Sequence, residues 1–429
     1  MQTLFFVLSL SGLAYITFRK RRFDGYTVAY LAALIYFMPG YFGFTSYHVG
    51  ATWIRVPLAP ETYAVMVLVI ASILAGGVIY DFLPEVRGPN FASRTSRGAQ
   101  WTCLVVAGVA GSLAVMVAGP ALFSTSTDKA VMLSSLGHFY TAFAFATIFG
   151  ACIAFERRSK WAIAVFLALL LFTVYLGFRL ELAITAIAVV TLWLIGTREK
   201  RFRIVSLWKA AVPLAMLAYF FFLIKQLIFQ IKLLNWDMVY RLLLQPDTYI
   251  NAIVRSEPFG TQNILNVVIT SNFHTGAGYI WDQLAVMFTL FGKAQSVTSF
   301  NDLFQPALFP SVVDYGMANN FWAQLWSAGG WEFLILGCIF FNLVLGIGSW
   351  LLKSRDLLVR VAAAVAMAII AFYIHRNDLL YEIILVKRIF MIFFVVLVIG
   401  YLLTVASRFR TGVGSSYMAR TETRHPPEQ

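Results

Sequence analysis

The side chains best equipped for chemistry in this sequence are arginines standing where arginines are costly. Arg179 lies in the turn Tyr175-Leu-Gly-Phe-Arg179-Leu-Glu181, Arg376 in His375-Arg376-Asn377-Asp378, and Lys387 with Arg388 inside the last apolar run. Arg55, Lys129, Lys225, Lys232, Arg241, Arg255 and Lys293 share with them one property: none belongs to the basic clusters that flank the other apolar runs. An ionisable group at membrane depth is expensive unless it faces a cavity or a partner. A guanidinium keeps its charge, tolerates partial burial and grips phosphate oxygens in pairs. This set therefore suits an anion such as a pyrophosphate whose lipid tail stays in a bilayer. The competing reading is plain binding of anionic headgroups, or, for Arg179, an interfacial pair with Glu181.

The elements that must position these groups follow from composition. Of 429 residues, 60% are hydrophobic, 16% aromatic and only 12% charged, with mean hydropathy +0.77. Soluble domains carry about 25% charged residues, and disordered chains need low hydrophobicity. The apolar runs are long and unbroken, unlike the alternating segments of about ten residues in outer-membrane barrels. The expectation is an all-α polytopic membrane protein forming one transmembrane domain over 1–429. Runs near the 20 residues that a crossing needs are 2–18, 26–45, 61–82, 101–119, 136–155, 161–177, 182–197, 206–229, 331–352, 360–374 and 379–406. That predicts about 11 transmembrane helices, the first of them retained because no basic region or small-residue cleavage pattern marks it as a signal.

Orientation follows from the basic residues. Arg19 to Arg22, Arg87/Arg94/Arg97, Arg157/Arg158/Lys160, Arg198/Lys200/Arg201/Arg203 with Lys209, Lys353/Arg355/Arg360 and Arg408/Arg410/Arg420/Arg424 fall on alternate ends of the runs. Those ends are predicted cytoplasmic, with the N-terminus outside and a polar tail, 407–429, inside. The formal charge of +13 is accounted for by these clusters rather than by nucleic acid. Residues 230–330 form one large outer loop. Its pieces Ile231-to-Leu244 and Gly278-to-Gly292 are too short to span and are expected to lie in the interface or re-enter a cavity. Counting back 19 residues from Ser407 puts Arg388 about 28 Å from the inner boundary, at the outer edge of the hydrocarbon.

Other chemistry is thinly represented. No DxD pair, Walker A, HExxH or GxSxG sequence occurs, and the first outer loop, Ser46-to-Pro60, has no acidic residue. That argues against metal-dependent glycosyltransferases of the GT-C type. Cys103, Cys152 and Cys338 stand alone in apolar segments and are expected to be packing residues. No metal and no cofactor is expected.

The stretch Phe309-Pro-Ser-Val-Val-Asp-Tyr-Gly-Met-Ala-Asn-Asn-Phe-Trp-Ala-Gln-Leu-Trp-Ser-Ala-Gly-Gly-Trp331, leading into a helix, resembles the end of the large outer loop in the O-antigen polymerase (Wzy) and oligosaccharide repeat-unit polymerase family. The resemblance extends to the plan of many crossings, a big loop in the C-terminal half and outer arginines, with weaker similarity at 175–181. Where some polymerases carry Arg-x10-Gly, Arg241 and Arg255 are followed by Ala252 and Asn266. The related O-antigen ligases share the plan and use a loop histidine, a place that only His274 could fill.

The resemblance implies a metal-independent polymerase at the periplasmic face of a bacterial inner membrane. It would move a growing glycan from its polyprenyl-pyrophosphate carrier to a hydroxyl of the next lipid-linked repeat unit. Arg179, Arg255, Arg376 and Arg388 are then expected to stabilise the departing pyrophosphate, and Glu181, Glu257, His274 or Asp314 to act as general base. Tyr315, Asn319, Asn320 and Trp322, with Trp326, are the expected sugar contacts. The implied partners are polyprenyl-pyrophosphate-linked oligosaccharides, membrane lipids, and a chain-length regulator and a flippase of the same pathway. A transporter or flippase for a lipid-linked oligosaccharide is the alternative from another class, but the inner halves of the runs are nearly free of ionisable residues.

Overall fold

Backbone polar groups in an apolar medium must be satisfied within the segment, and a helix does that. The computed structural model describes residues 1–19, 23–49, 52–84, 88–89, 96–119, 129–196, 216, 219, 223, 227, 230–231, 233–289, 297–309 and 317–421. Its helices are α1 (Gln2–Phe18), α2 (Gly25–Tyr36), α3 (Pro39–Phe42), α4 (Pro60–Phe82), α5 (Ser96–Ala118), α6 (Lys129–Glu156), α7 (Lys160–Tyr175) and α8 (Leu180–Gly196). They continue with α9 (Trp236–Leu244), α10 (Pro246–Val254), α11 (Glu257–Thr270), α12 (Ala277–Ala285), α13 (Phe300–Leu308), α14 (Phe321–Leu351), α15 (Leu357–Tyr373) and α16 (Leu379–Thr421). Five are long and apolar enough to cross a membrane: Pro60–Phe82, Arg97–Ala118, Gly137–Glu156, Phe321–Leu351 and Leu379–Leu403. The expected run 206–229 lies almost wholly outside the described residues, as do Asp314 and Tyr315.

The chain divides into two compact units. The first comprises Met1–Val86, Trp193–Trp350 and Ala366–Lys387. Within it the predicted run 26–45 is not one helix. The 12 residues of α2 span about 18 Å, Pro39 starts a separate turn, and Gly43 at φ 80° turns the chain into a hairpin of β1 (Phe44–Val49) and β2 (Thr52–Pro57). Ser46 pairs with Arg55 and Tyr47 with Ile54. The polar face of α11 holds the hairpin. Thr45 Oγ1 donates to Asn263 Oδ1 at 3.0 Å and Ser46 Oγ to the Val254 carbonyl at 2.6 Å. Asn266 accepts from the Ala59 amide and the Thr62 hydroxyl and donates to the Pro57 carbonyl.

At the far end of α1, Arg19 is fully buried. It pairs with Asp24 at 2.9 Å and Asp81 at 2.7 Å, tying α1 to the starts or ends of α2 and α4. Helix α14 begins ten residues before the predicted crossing and bends at the glycine pair, where Gly330 takes φ 58°, a backbone region open to glycine at no steric cost. Before the bend Trp322, Ala323, Gln324 and Ser327 are buried; after it Trp331, Leu336, Phe340 and Leu343 are exposed.

The second unit comprises Arg87–Leu192, Leu351–Val365 and Arg388–Gln429. Ala107, Ala110 and Ala114 of α5 let it approach Tyr140, Phe143 and Ala144 of α6, the small-residue contact usual between membrane helices. Arg157 donates to Gln100 at 2.7 Å, and Arg360 pairs with Glu156. The three cysteines are buried and free. Helix α16 runs on to Thr421, through most of the expected tail.

Candidate functional site

In the first unit α10 and α11 are joined through Arg255 and Ser256. Pro258 near the helix start fixes the entry, which puts Glu257 in the first turn of α11. The turn between α15 and α16 supplies Arg376, whose Nε donates to Glu257 Oε1. Both side chains stay about one-third exposed, at 32% and 34%, so the pair is reachable from outside. The Arg376 guanidinium lies 6.0 Å from the Tyr373 ring and that of Arg255 5.4 Å from the Trp53 ring of β2, distances at which cation–π attraction operates.

Beneath this pair the turn is held by buried polar groups. Asp378 caps α16, accepting from the Tyr381 amide at 2.8 Å and the Phe300 amide at 3.0 Å. Burial pushes its carboxyl pKa up, and those amides oppose the shift. The Leu379 amide donates to Gln324 and the Leu380 amide to Gln283, while Gln324 donates to Gln283 at 2.6 Å. The orphan amides that open every helix are thus occupied here, so the α16 terminus is a closed cap rather than an anion site. Asn377 donates to Glu382 at 2.7 Å. His375 is wholly enclosed by Tyr36, Phe37 and Trp322. Its Nδ1 accepts from Trp322 Nε1 at 2.9 Å, which leaves the proton on Nε2. Burial lowers its pKa to about 3, so the ring is neutral.

Of the expected pyrophosphate arginines, Arg376 is brought to Glu257 and Arg255 lies against the Trp53 ring, whereas Arg179 and Arg388 belong to the second unit. There Glu181 does not pair with Arg179: its Oε1 accepts from Tyr140 at 2.9 Å. Arg179 is half-buried, and burial lowers its pKa. Arg388 is half-buried on α16. The Lys387 ammonium donates to the carbonyls of Val286 and Thr289 at the end of the turn Val286–Phe288. His274 is exposed and contacts Asn272 at 3.0 Å.

Two of the expected sugar contacts, Asn320 and Trp322, are fully buried. Asn320 caps α14 by accepting from the amides of Trp322 and Ala323, and donates to the Thr261 carbonyl. The Trp322 ring is enclosed by Phe321, Phe341 and His375 and has no free face. Asn319 is half-buried with its Oδ1 unpartnered, and Trp326 packs edge-on against Trp331. The groups missed from the sequence are Gln283, Gln324, His375, Asp378 and Glu382. Glu382 was detectable as an acidic residue inside the apolar run 379–406. No protein-family model matches the sequence, and no match was found among curated proteins or solved structures.

Proposed function

We propose that this chain is a glycan polymerase acting on polyprenyl-pyrophosphate-linked oligosaccharides at the periplasmic face of a bacterial inner membrane. The observation that carries the reading is the half-open Arg376–Glu257 pair with Arg255 two residues from Glu257. Arg376 of the α15–α16 turn meets Glu257, and Arg255 is close to Glu257 along the chain. The ten apolar helices together with the run 206–229 supply the eleven crossings, with an outside N-terminus, an inside C-terminus and 230–330 outside. The reaction needs a base for the attacking sugar hydroxyl and charge for the leaving group. Glu257, beside Arg376, takes the hydroxyl proton as the new glycosidic bond forms. The bond from the anomeric carbon to the carrier pyrophosphate breaks, and its electron pair leaves on a phosphate oxygen that Arg255 and Arg376 neutralise. No step requires a metal.

Purified protein given lipid-linked repeat units in EDTA should produce a ladder of longer lipid-linked chains. Products on lipid A core would instead indicate a ligase, and movement across a bilayer without new bonds a flippase. Turnover lost in EDTA and restored by magnesium or manganese would defeat the metal-independent mechanism.

A further inference from the structure

The first unit also holds a cleft of about 390 Å³, lined by Tyr279, Asp282, Val286, Thr289, Thr298 and Leu303 among others, and the reaction above leaves these side chains unused. The volume falls within the roughly 300–1,000 Å³ of small-molecule sites. Hydrogen bonds hold its described lining. The Tyr279 hydroxyl donates to the Thr298 carbonyl at 3.1 Å and accepts from Gln283 at 2.5 Å. Gln283 is itself fully buried and anchored to α14 and α16 through Gln324 and Leu380. On another side Lys387 ties down the carbonyls of Val286 and Thr289.

The charge of the cleft selects its occupant. Asp282 is exposed, and among the described lining residues it is the one that carries a charge. The Lys387 ammonium is engaged by the carbonyls of Val286 and Thr289. Such a cleft repels a phosphate and accepts hydrogen bonds from hydroxyls, while Val286, Leu303 and the Tyr279 ring offer apolar surface. Hydroxyls on one side and C–H groups on the other describe a sugar ring. We propose that this cleft binds a neutral or amino sugar residue, with Asp282, Thr289 and Thr298 as the polar contacts. In the cell that sugar would be part of the lipid-linked glycan, an assignment that rests on the polymerase reading.

The test uses the full chain in detergent and free, phosphate-free hexoses, N-acetylhexosamines and hexosamines. Binding is followed by saturation-transfer NMR and by fluorescence of Trp281, which adjoins Asp282 and is 65% exposed. At least one sugar should bind saturably, Asp282→Asn should weaken it tenfold or more, and Leu303→Trp should abolish it by filling the cleft. Glu257→Gln should leave it unchanged. Failure of the whole panel to bind, or binding indifferent to Asp282→Asn, overturns the proposal. So does a response of Trp281 to calcium or magnesium that no sugar displaces, which would make the cleft a cation site. Sugar binding without a ladder from lipid-linked substrate sinks the polymerase reading and keeps the cleft; a ladder without sugar binding does the reverse.

Discussion

Arg19 and Arg376 are both arginines paired with carboxylates in the first unit, yet they are built for opposite purposes. Arg19 is buried without remainder: two aspartates, the Thr27 hydroxyl and the Gly77 carbonyl take up its guanidinium, and Tyr15 donates to Asp81 beside it. Arg376 has one carboxylate partner and one-third of its side chain in the open. A fully satisfied ion pair has nothing left for a ligand, and removing one partner strands the other in a medium that cannot solvate it. A half-open pair can exchange its partner for a substrate. Position in sequence does not distinguish the two, since both lie at helix ends. The number of partners does.

The sharpest way to break this contrast is Arg19→Ala. Stranding Asp24 and Asp81 should cost about 3–5 kcal/mol, read as a large fall in thermal unfolding temperature in detergent, and a variant as stable as the parent would refute the clamp. Arg376→Ala should leave that temperature nearly unchanged and instead cut polymerisation about ten- to hundredfold, the worth of a charge-assisted contact of about 1.5–3 kcal/mol. Lysine at 376 should restore only part, because it lacks the fork. Glu257→Gln should lower turnover about 100- to 10,000-fold as the loss of a general base. If the two act as one unit, the double variant should be no worse than Glu257→Gln alone; additive losses would separate their roles.

A smaller effect concerns pH. A histidine held at about 3 when folded, against about 6.5 when unfolded, binds its proton preferentially in the unfolded chain. Its contribution is intact above about pH 6.5 and is lost as pH falls through the window towards 3. At pH 5 the loss is about 2 kcal/mol. His375→Phe should flatten the fall in stability between pH 7 and 5, and an equally steep fall in that variant would assign the acid sensitivity elsewhere. The smallest effect is expected at Arg55, which lies on β2 over the Phe44 ring: Arg55→Ala should change stability by about 0.5 kcal/mol or less and activity less than twofold. A loss there as large as at Arg376 would mean that the outer arginines act as a general electrostatic field.

The helices were legible because long apolar runs leave one solution for their backbone. Gln2–Phe18 and Pro60–Phe82 coincide with runs read directly from the sequence. The second run was not, because its hydrophobicity continues unchanged past Pro39 while the backbone turns at Gly43 into the hairpin. In the site, Arg255 and Arg376 were legible as charges out of place, and Glu257 as one of four candidate bases. That Glu257 meets Arg376 was not, since 119 residues separate them. Asn320 and Trp322 were misjudged for a related reason: a side chain suited to sugar is equally suited to capping or filling a core, and only burial tells which.

The bend at Gly329–Gly330 has a mechanical consequence. It separates a short buried lever, Phe321–Ala328, which carries Gln324 into the cap of α16, from a long apolar shaft exposed on its flank. A bilayer of unsuitable thickness acts on a helix by tilting it. Here the joint between shaft and lever is two glycines, and the geometry of the joint depends on their lacking side chains: Gly330 takes φ 58°, and a Cβ on Gly329 would come within 2.4 Å of the Phe333 ring.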